Sequence, residues 1–170
     1  MTALRPVVEA DVPLLEQQHS SPAAAGEMSW FGFKEPGRLA RRVAARETLT
    51  ADRGILAVVD DAGQLVGEVS WHQAANGPPP NGACWNIGIW IAPDHRGKGH
   101  GAEAQRLAAA YLFEHSYLER VEAGTEADNV AEQRALEKAG FTREGMLRRA
   151  CFRGGAWRDM VVYSKLRGET

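Results

Sequence analysis

The stretch Ile91-Ala-Pro-Asp-His-Arg-Gly-Lys-Gly-His-Gly101 carries glycine at 97, 99 and 101. An apolar, strand-like run, CWNIGIWIA, precedes it, and a helix-like run, AEAQRLAAAYLFEH, follows. A chain that bares so much backbone between a strand and a helix has few physical reasons to do so. The first turn of a helix carries unpaired N–H groups and a partial positive charge. A loop without Cβ atoms lets an anion reach those groups directly. Arg96 and Lys98 add charge beside them. The plainer reading is a turn that lets strand and helix pack closely, and composition alone leaves both open.

Two phosphate-binding patterns are excluded by context. A P-loop needs Lys-Ser/Thr after its last glycine, whereas Ala102-Glu103 follows Gly101. A dinucleotide fingerprint is matched literally as Gly97-x-Gly99-x-x-Ala102. Such a turn starts almost directly after its strand and belongs to a doubly wound sheet, and the chain offers a single strand-helix-strand crossover. A nucleotide-dependent oxidoreductase is therefore disfavoured.

The rest of the chain frames that crossover. Leu4–Val8 reads as a first strand, and Asp11 with Pro13 as the start of a short helix reaching about Gln18. His19–Pro36 is punctuated by Pro, Gly and Ser and reads as irregular, although it holds Trp30, Phe31 and Phe33. GRLARRVAARE reads as a second helix. Ile55–Asp60 and Gln64–His72 form an antiparallel hairpin, and Gln73–Gly82, with three prolines, a loop. Ala104, Leu107, Ala108, Tyr111 and Leu112 form the apolar stripe of a helix packed on a sheet. RVEAGTEA is a strand, Asn129 caps a helix stopping at Gly140, and a closing hairpin turns at RGGA. The class is α+β with a mixed sheet, in one domain over residues 1–170.

Composition narrows the function. Hydrophobic residues make up 44% and charged residues 25%, enough to bury a core without staples. Net charge is −2 and no basic tract is present, so neither nucleic acid nor a membrane is an expected partner. Cys84 and Cys151 lie in apolar runs and are expected as buried free thiols. No apolar run approaches the ~18 residues of a membrane span, and no secretory segment is read at the N-terminus; the expected location is cytoplasmic.

IWIAPDHRGKGHG, followed downstream by NVAEQRALEKAGF, resembles the acetyl-CoA-binding core of the GNAT superfamily of N-acetyltransferases. Within it, GFTREGMLRRACFRGGAWRDMVVYSKL is similar to the branch that includes the ribosomal-protein-alanine acetyltransferases. The resemblance implies a sheet of about seven mostly antiparallel strands, flanked by about four helices, whose central parallel strands splay. It implies an acetyltransferase that uses acetyl-CoA as acetyl donor and releases CoA. The backbone of Gly97, Lys98, Gly99, His100, Gly101 and Ala102, with Arg96, would take the pyrophosphate. Ile89, Trp90 and Ile91 would pair with the pantetheine as an added strand does, with Gly88 permitting a bulge, and Asn129 would hydrogen-bond the same arm. No metal is implied.

The acceptor would be a primary amine, on a protein N-terminus or a small molecule, and must be neutral to attack. Glu68 and Glu122 are the candidate bases, with His72 at a strand end as a third. Many GNAT enzymes carry a Tyr acid seven residues after the Asn; Leu136 stands there. The alanine-acetyltransferase branch often has Ser three residues after it; Glu132 stands there, a candidate acid or a residue serving the helix's first turn. Trp30, Phe31, Phe33 and Trp71 are candidate walls of the acceptor pocket. The alternative function is a non-catalytic acyl-CoA-binding regulatory or sensor module. The resemblance allows a homodimer that no feature of the sequence demands.

Overall fold

The computed structural model describes residues 1–78 and 80–169. Seven strands form one sheet: β1 (Ala3–Pro6), β2 (Arg53–Val59), β3 (Leu65–Ala75), β4 (Ala83–Ile91), β5 (Arg120–Glu126), β6 (Thr142–Arg153) and β7 (Ala156–Leu166). Their order is β1-β2-β3-β4-β5-β7-β6, and β4 and β5 are the parallel pair in an otherwise antiparallel sheet. Helices α1 (Val12–Gln17), α2 (Pro22–Ala25), α3 (Arg38–Ala44), α4 (His100–His115) and α5 (Val130–Lys138) flank it.

The α4 stripe behaves as its spacing demands. Ala104, Ala108 and Leu112 are buried against Val69, Trp85, Ile87 and Val121 of the sheet. The opposite face carries a smaller cluster, with Leu15, Ala57 and Trp90 under α1 and α3. Alternation along β4 thus sends Ile87 to the α4 face and Trp90 to the α1 face.

Several expectations change. β1 ends at Pro6, and Asp11 does not cap α1 through its side chain. Its carboxylate accepts the Val8 N–H at 2.8 Å and pairs with Arg5 at 2.6 Å, which holds it below the usual carboxylate range. β3 runs on through Gln73, Ala74 and Ala75, because Trp85, Cys84 and Ala83 supply a ladder for residues read as loop. Pro79 of that loop lies outside the described residues.

The segment read as irregular contains α2 and a 3-10 turn, Glu27–Ser29. Ser21 accepts the Ala24 N–H at 3.2 Å and Pro22 opens the helix, a cap-and-proline signal present in the sequence. Gly88 makes no bulge, since β3 and β4 pair without a register shift from Ala83 to Ile91. Cys84 is buried, as expected, but Cys151 is half-exposed on the edge strand β6. No described helix is long and apolar enough to cross a membrane.

Candidate active site

β4 and β5 are paired over only three positions, Trp85–Val121, Asn86–Glu122 and Ile87–Ala123. Beyond Ile87 each strand stays with its outer neighbour. β4 follows β3 to the Ile91–Gly67 pair, and β5 follows β7 to the Glu126–Met160 pair. The sheet therefore opens as a V whose arms are Gly88–Ile91 and Gly124–Glu126. A cleft of about 220 Å³ fills the V, lined by Ile87, Gly88 and Ile89 on one side and Ala123, Gly124, Thr125 and Glu126 on the other. It is continuous in its lining with a larger cleft, about 600 Å³, that runs over Ile89–Ile91 to the α4 N-terminus. Met28, Ser29, Ile89, Asn129 and Glu132 border both.

The glycine loop forms the far end of the larger cleft. Gly97 and Gly99 have φ of 74° and 88°, the left-handed region that a side chain disfavours. A Cβ at either would meet nothing within 4 Å, so the glycines answer to backbone conformation and access, not to internal crowding. Gly99 caps α4 and its carbonyl takes the Glu103 N–H. Among the described residues, no acceptor pairs with the N–H groups of 97–102. That is a bank of unpaired donors at the positive end of a 16-residue helix.

The basic side chains of the loop serve the backbone here. Arg96 donates from Nε to the Ile91 carbonyl at 2.8 Å and from a terminal nitrogen to the Ala25 carbonyl at 3.0 Å. Lys98 donates to the Asp94 carbonyl at 2.8 Å. Arg134 and Lys138 of α5, which sequence reasoning passed over, border the same cleft and add the missing positive charge. Their i, i+4 spacing was the available signal. His100 also borders it, with its ring Nδ1 3.0 Å from the Thr2 hydroxyl.

Residues 22–29 bridge the two arms of the V. On the β4 side the Trp90 indole donates to the Ala25 carbonyl at 3.2 Å, beside the Arg96 bond. On the β5 side Arg153, at the end of β6, pairs with the buried Glu126 carboxylate and donates to the Glu27 carbonyl at 2.7 Å. Arg153 holds Glu126 below its usual range, outweighing burial.

The expected side chains scatter. Phe31 borders the smaller cleft. Trp30 and Phe33 stack edge to face with centroids 5.2 Å apart, and neither lines it. Trp71 lines neither cleft; it is buried in the α4-side core against Tyr111, because its β3 position points to that face. Glu122 is buried and held by the Asn76 amide at 2.5 Å and the Arg120 guanidinium at 2.6 Å, away from the cleft linings. Arg120 also pairs with Glu144, pulling that carboxyl down to about 2. Glu68 faces Trp90 across the β3–β4 pair, on the surface that also carries Gly88. Its pKa is raised, by burial first, against weaker opposition from the Gln18 amide, Arg42 and Lys34. His72 is exposed.

Asn129 caps α5 by accepting the Glu132 N–H at 3.3 Å while bordering both clefts. Glu132 stands in the first turn of α5, half-buried between the clefts. Burial pushes its carboxyl up to about 7, with the Gln105 amide donating to it at 2.7 Å and pulling the other way. Leu136 is fully buried in the core, so no hydroxyl is offered one turn further on.

A seven-stranded mixed sheet split at its parallel pair, with free amides at one end of the split, defines a class. Residues 2–142 match the family described as "Acetyltransferase (GNAT) domain", and the chain belongs to that family. Several known proteins resemble it. It is 38% identical over 113 residues to the Probable N-acetyltransferase YjcK of Bacillus subtilis, covering 66% of this chain and 60% of that one. Its fold matches a ribosomal-protein-S5-alanine acetyltransferase from Vibrio fischeri with TM-score 0.76, at 19% identity over 99% of this chain and 94% of that one. It matches equally a spermidine N-acetyltransferase SpeG chimera from Vibrio cholerae and hSSAT, with TM-score 0.78 and 21% identity over 97% and 95%. The chain is an N-acetyltransferase by family.

Proposed function

We propose that this chain transfers the acetyl group of acetyl-CoA to a primary amine by direct attack on the thioester. The observation that carries the reading is the opening of β4 from β5 beyond Ile87, beside six unpaired amides at residues 97–102. An extended pantetheine adds to the bared edge at Ile89, Trp90 and Ile91, and the diphosphate sits at the α4 N-terminus with Arg134 and Lys138 nearby. The thioester then falls in the V, where a β4 N–H polarises its carbonyl. The acceptor enters past Met28 and Phe31.

The acceptor nitrogen must shed a proton. Glu126 borders the V, but its pairing with Arg153 makes it a poor base. Glu68 is our base, acting through solvent from the Gly88 face, because burial raises its pKa above the usual carboxylate range and so makes it a stronger proton acceptor. Glu132 is our acid, the ionisable group that borders both clefts and whose carboxyl burial raises to about 7, so that it keeps a proton to give near neutral pH.

The fold neighbours named for ribosomal-protein alanine and spermidine support an amine acceptor of either kind, a peptide N-terminus or a small polyamine. Release of free thiol from acetyl-CoA, measured with alanine-initiated peptides and with polyamines, tests the reading. Binding of acetyl-CoA without thiol release for any amine would favour the regulatory module instead.

A further inference from the structure

Gln105 of α4 is a polar side chain only 1% exposed, between the two central helices and the V. Its Nε2 donates to Glu132, and its Oε1 is buried with no hydrogen-bond partner among the described residues. Leaving an amide oxygen so is costly. Exchanging the amide's oxygen and nitrogen does not help. A charged carboxylate only accepts, so one end of the amide is always left over. A neutral carboxyl has one acceptor and one O–H donor. Head to head with an amide it closes two bonds, N–H to C=O and O–H to C=O, so the amide oxygen gains a donor and only the second amide N–H is left over. Gln105 can therefore serve both forms of Glu132: its Nε2 bonds the carboxylate and draws the pKa down, and its Oε1 is free to accept the proton of the neutral acid.

We propose that Gln105 is the positioning residue of the acid: its Oε1 orients the Glu132 proton, and its Nε2 steadies the carboxylate left when that proton goes to the CoA sulfur. This rests on the acetyl-transfer reading. In the step, the amine nitrogen bonds to the thioester carbon, the C–S bond breaks, and its electron pair leaves on sulfur. The Glu132 O–H proton moves to sulfur, giving thiol and carboxylate, while the proton of the new C–N centre goes to the base. Glu132 regains a proton from solvent through the larger cleft.

Burial leads in raising the Glu132 carboxyl, the Gln105 bond opposes it, and no charged group contributes. The charged groups bordering its clefts are Glu126, already paired with Arg153, and Glu27, Arg96, Arg134 and Lys138, with His95 and His100 titratable. Gln105 is the group that touches it.

The test is Gln105→Met, close in shape and apolar, in the full chain. Two readouts are needed: the Glu132 carboxyl titration by isotope-edited NMR, which needs no turnover, and the pH profile of kcat for thiol release. In the wild type the alkaline fall of kcat coincides with the Glu132 midpoint. In Gln105→Met both move upward together by about one pH unit, because the lost bond to the anion outweighs the lost bond to the neutral acid. kcat falls about tenfold and KM for acetyl-CoA stays. A midpoint that does not move, or a kcat limb that stays while the midpoint moves, overturns the proposal and leaves acetyl transfer standing. A wild-type chain that releases no thiol overturns both.

Discussion

Replacing Arg153 by methionine removes the partner of a carboxylate that cannot return to water. Glu126 is 4% exposed, and the Arg153 side chain is itself nine-tenths buried. Breaking such a pair from one side costs about 3–5 kcal/mol, well above the ~1 kcal/mol of an exposed ion pair. The bonds from Arg153 to the Glu27 carbonyl and the Met28 sulfur go too, freeing the bridge over the V. Urea unfolding at pH 7, followed by tryptophan fluorescence, reads the loss. The sign with pH is fixed. Arg153 depresses the Glu126 pKa in the folded chain, so its stabilisation is full above the unfolded value of about 4.3 and is lost as pH falls through the folded one. The gap between wild type and Arg153→Met should close below about pH 4. Adding Glu126→Gln should restore most of the loss at pH 7, since it removes the stranded charge. A loss under about 1 kcal/mol, or no recovery in the double variant, would refute the buried-pair reasoning. In the folded variant both KM for the amine and Kd for CoA should rise, because residues 25–29 border the larger cleft and Met28 and Ser29 border both.

The other expectations are shorter. Glu68→Gln should lower kcat/KM by about 10²–10⁴ if Glu68 is the base. It should also stabilise the fold at pH 7 and above, because a raised folded pKa costs stability as pH rises through it; the gain should vanish below about pH 4. Unchanged kcat/KM with the stability gain intact would leave Glu68 a structural carboxylate. Gly54→Ala places a Cβ 2.1 Å from the buried Trp71 ring, and should cost about 3 kcal/mol or prevent folding, read by thermal melts. Glu122→Gln should spare turnover at saturating substrate and weaken the fold, since its partners Asn76 and Arg120 lose a charged acceptor.

The strands and α4 were legible because their signals are local. Two-faced apolarity in CWNIGIWIA and the Ala104–Leu112 stripe each fix an element and its buried side. The Gly97–Gly101 loop was legible as bared backbone at a helix start, because its glycines and the helix that follows are both local signals. The opening of β4 from β5 was not legible from spacing. It is accompanied by long-range contacts that spacing cannot show: Trp90, Arg96 and Arg153 reach residues 24–28 from both arms, up to 126 residues apart in sequence. α2 was readable from Ser21-Pro22, but neighbouring glycines and aromatics masked it. Where the candidate catalytic and pocket side chains point was least legible, for a physical reason. Strand alternation tells which residues share a face, not which face meets the cleft, so Trp71 faces the core and Glu122 an arginine. Gln105 gave no signal at all, because a glutamine in an alanine-rich helix is ordinary until its burial is seen.

The central claim is that coenzyme A is held by the amides of residues 97–102 and the bared edge of β4. Calorimetric titration of CoA into the full chain, beside Gly97→Val and Gly99→Val, tests it most directly. The account predicts saturable binding by the wild type and a loss of at least tenfold in each variant, since a branched side chain at positive φ both strains the loop and covers the donors. No heat with the wild type, or equal affinity in folded variants, would contradict it.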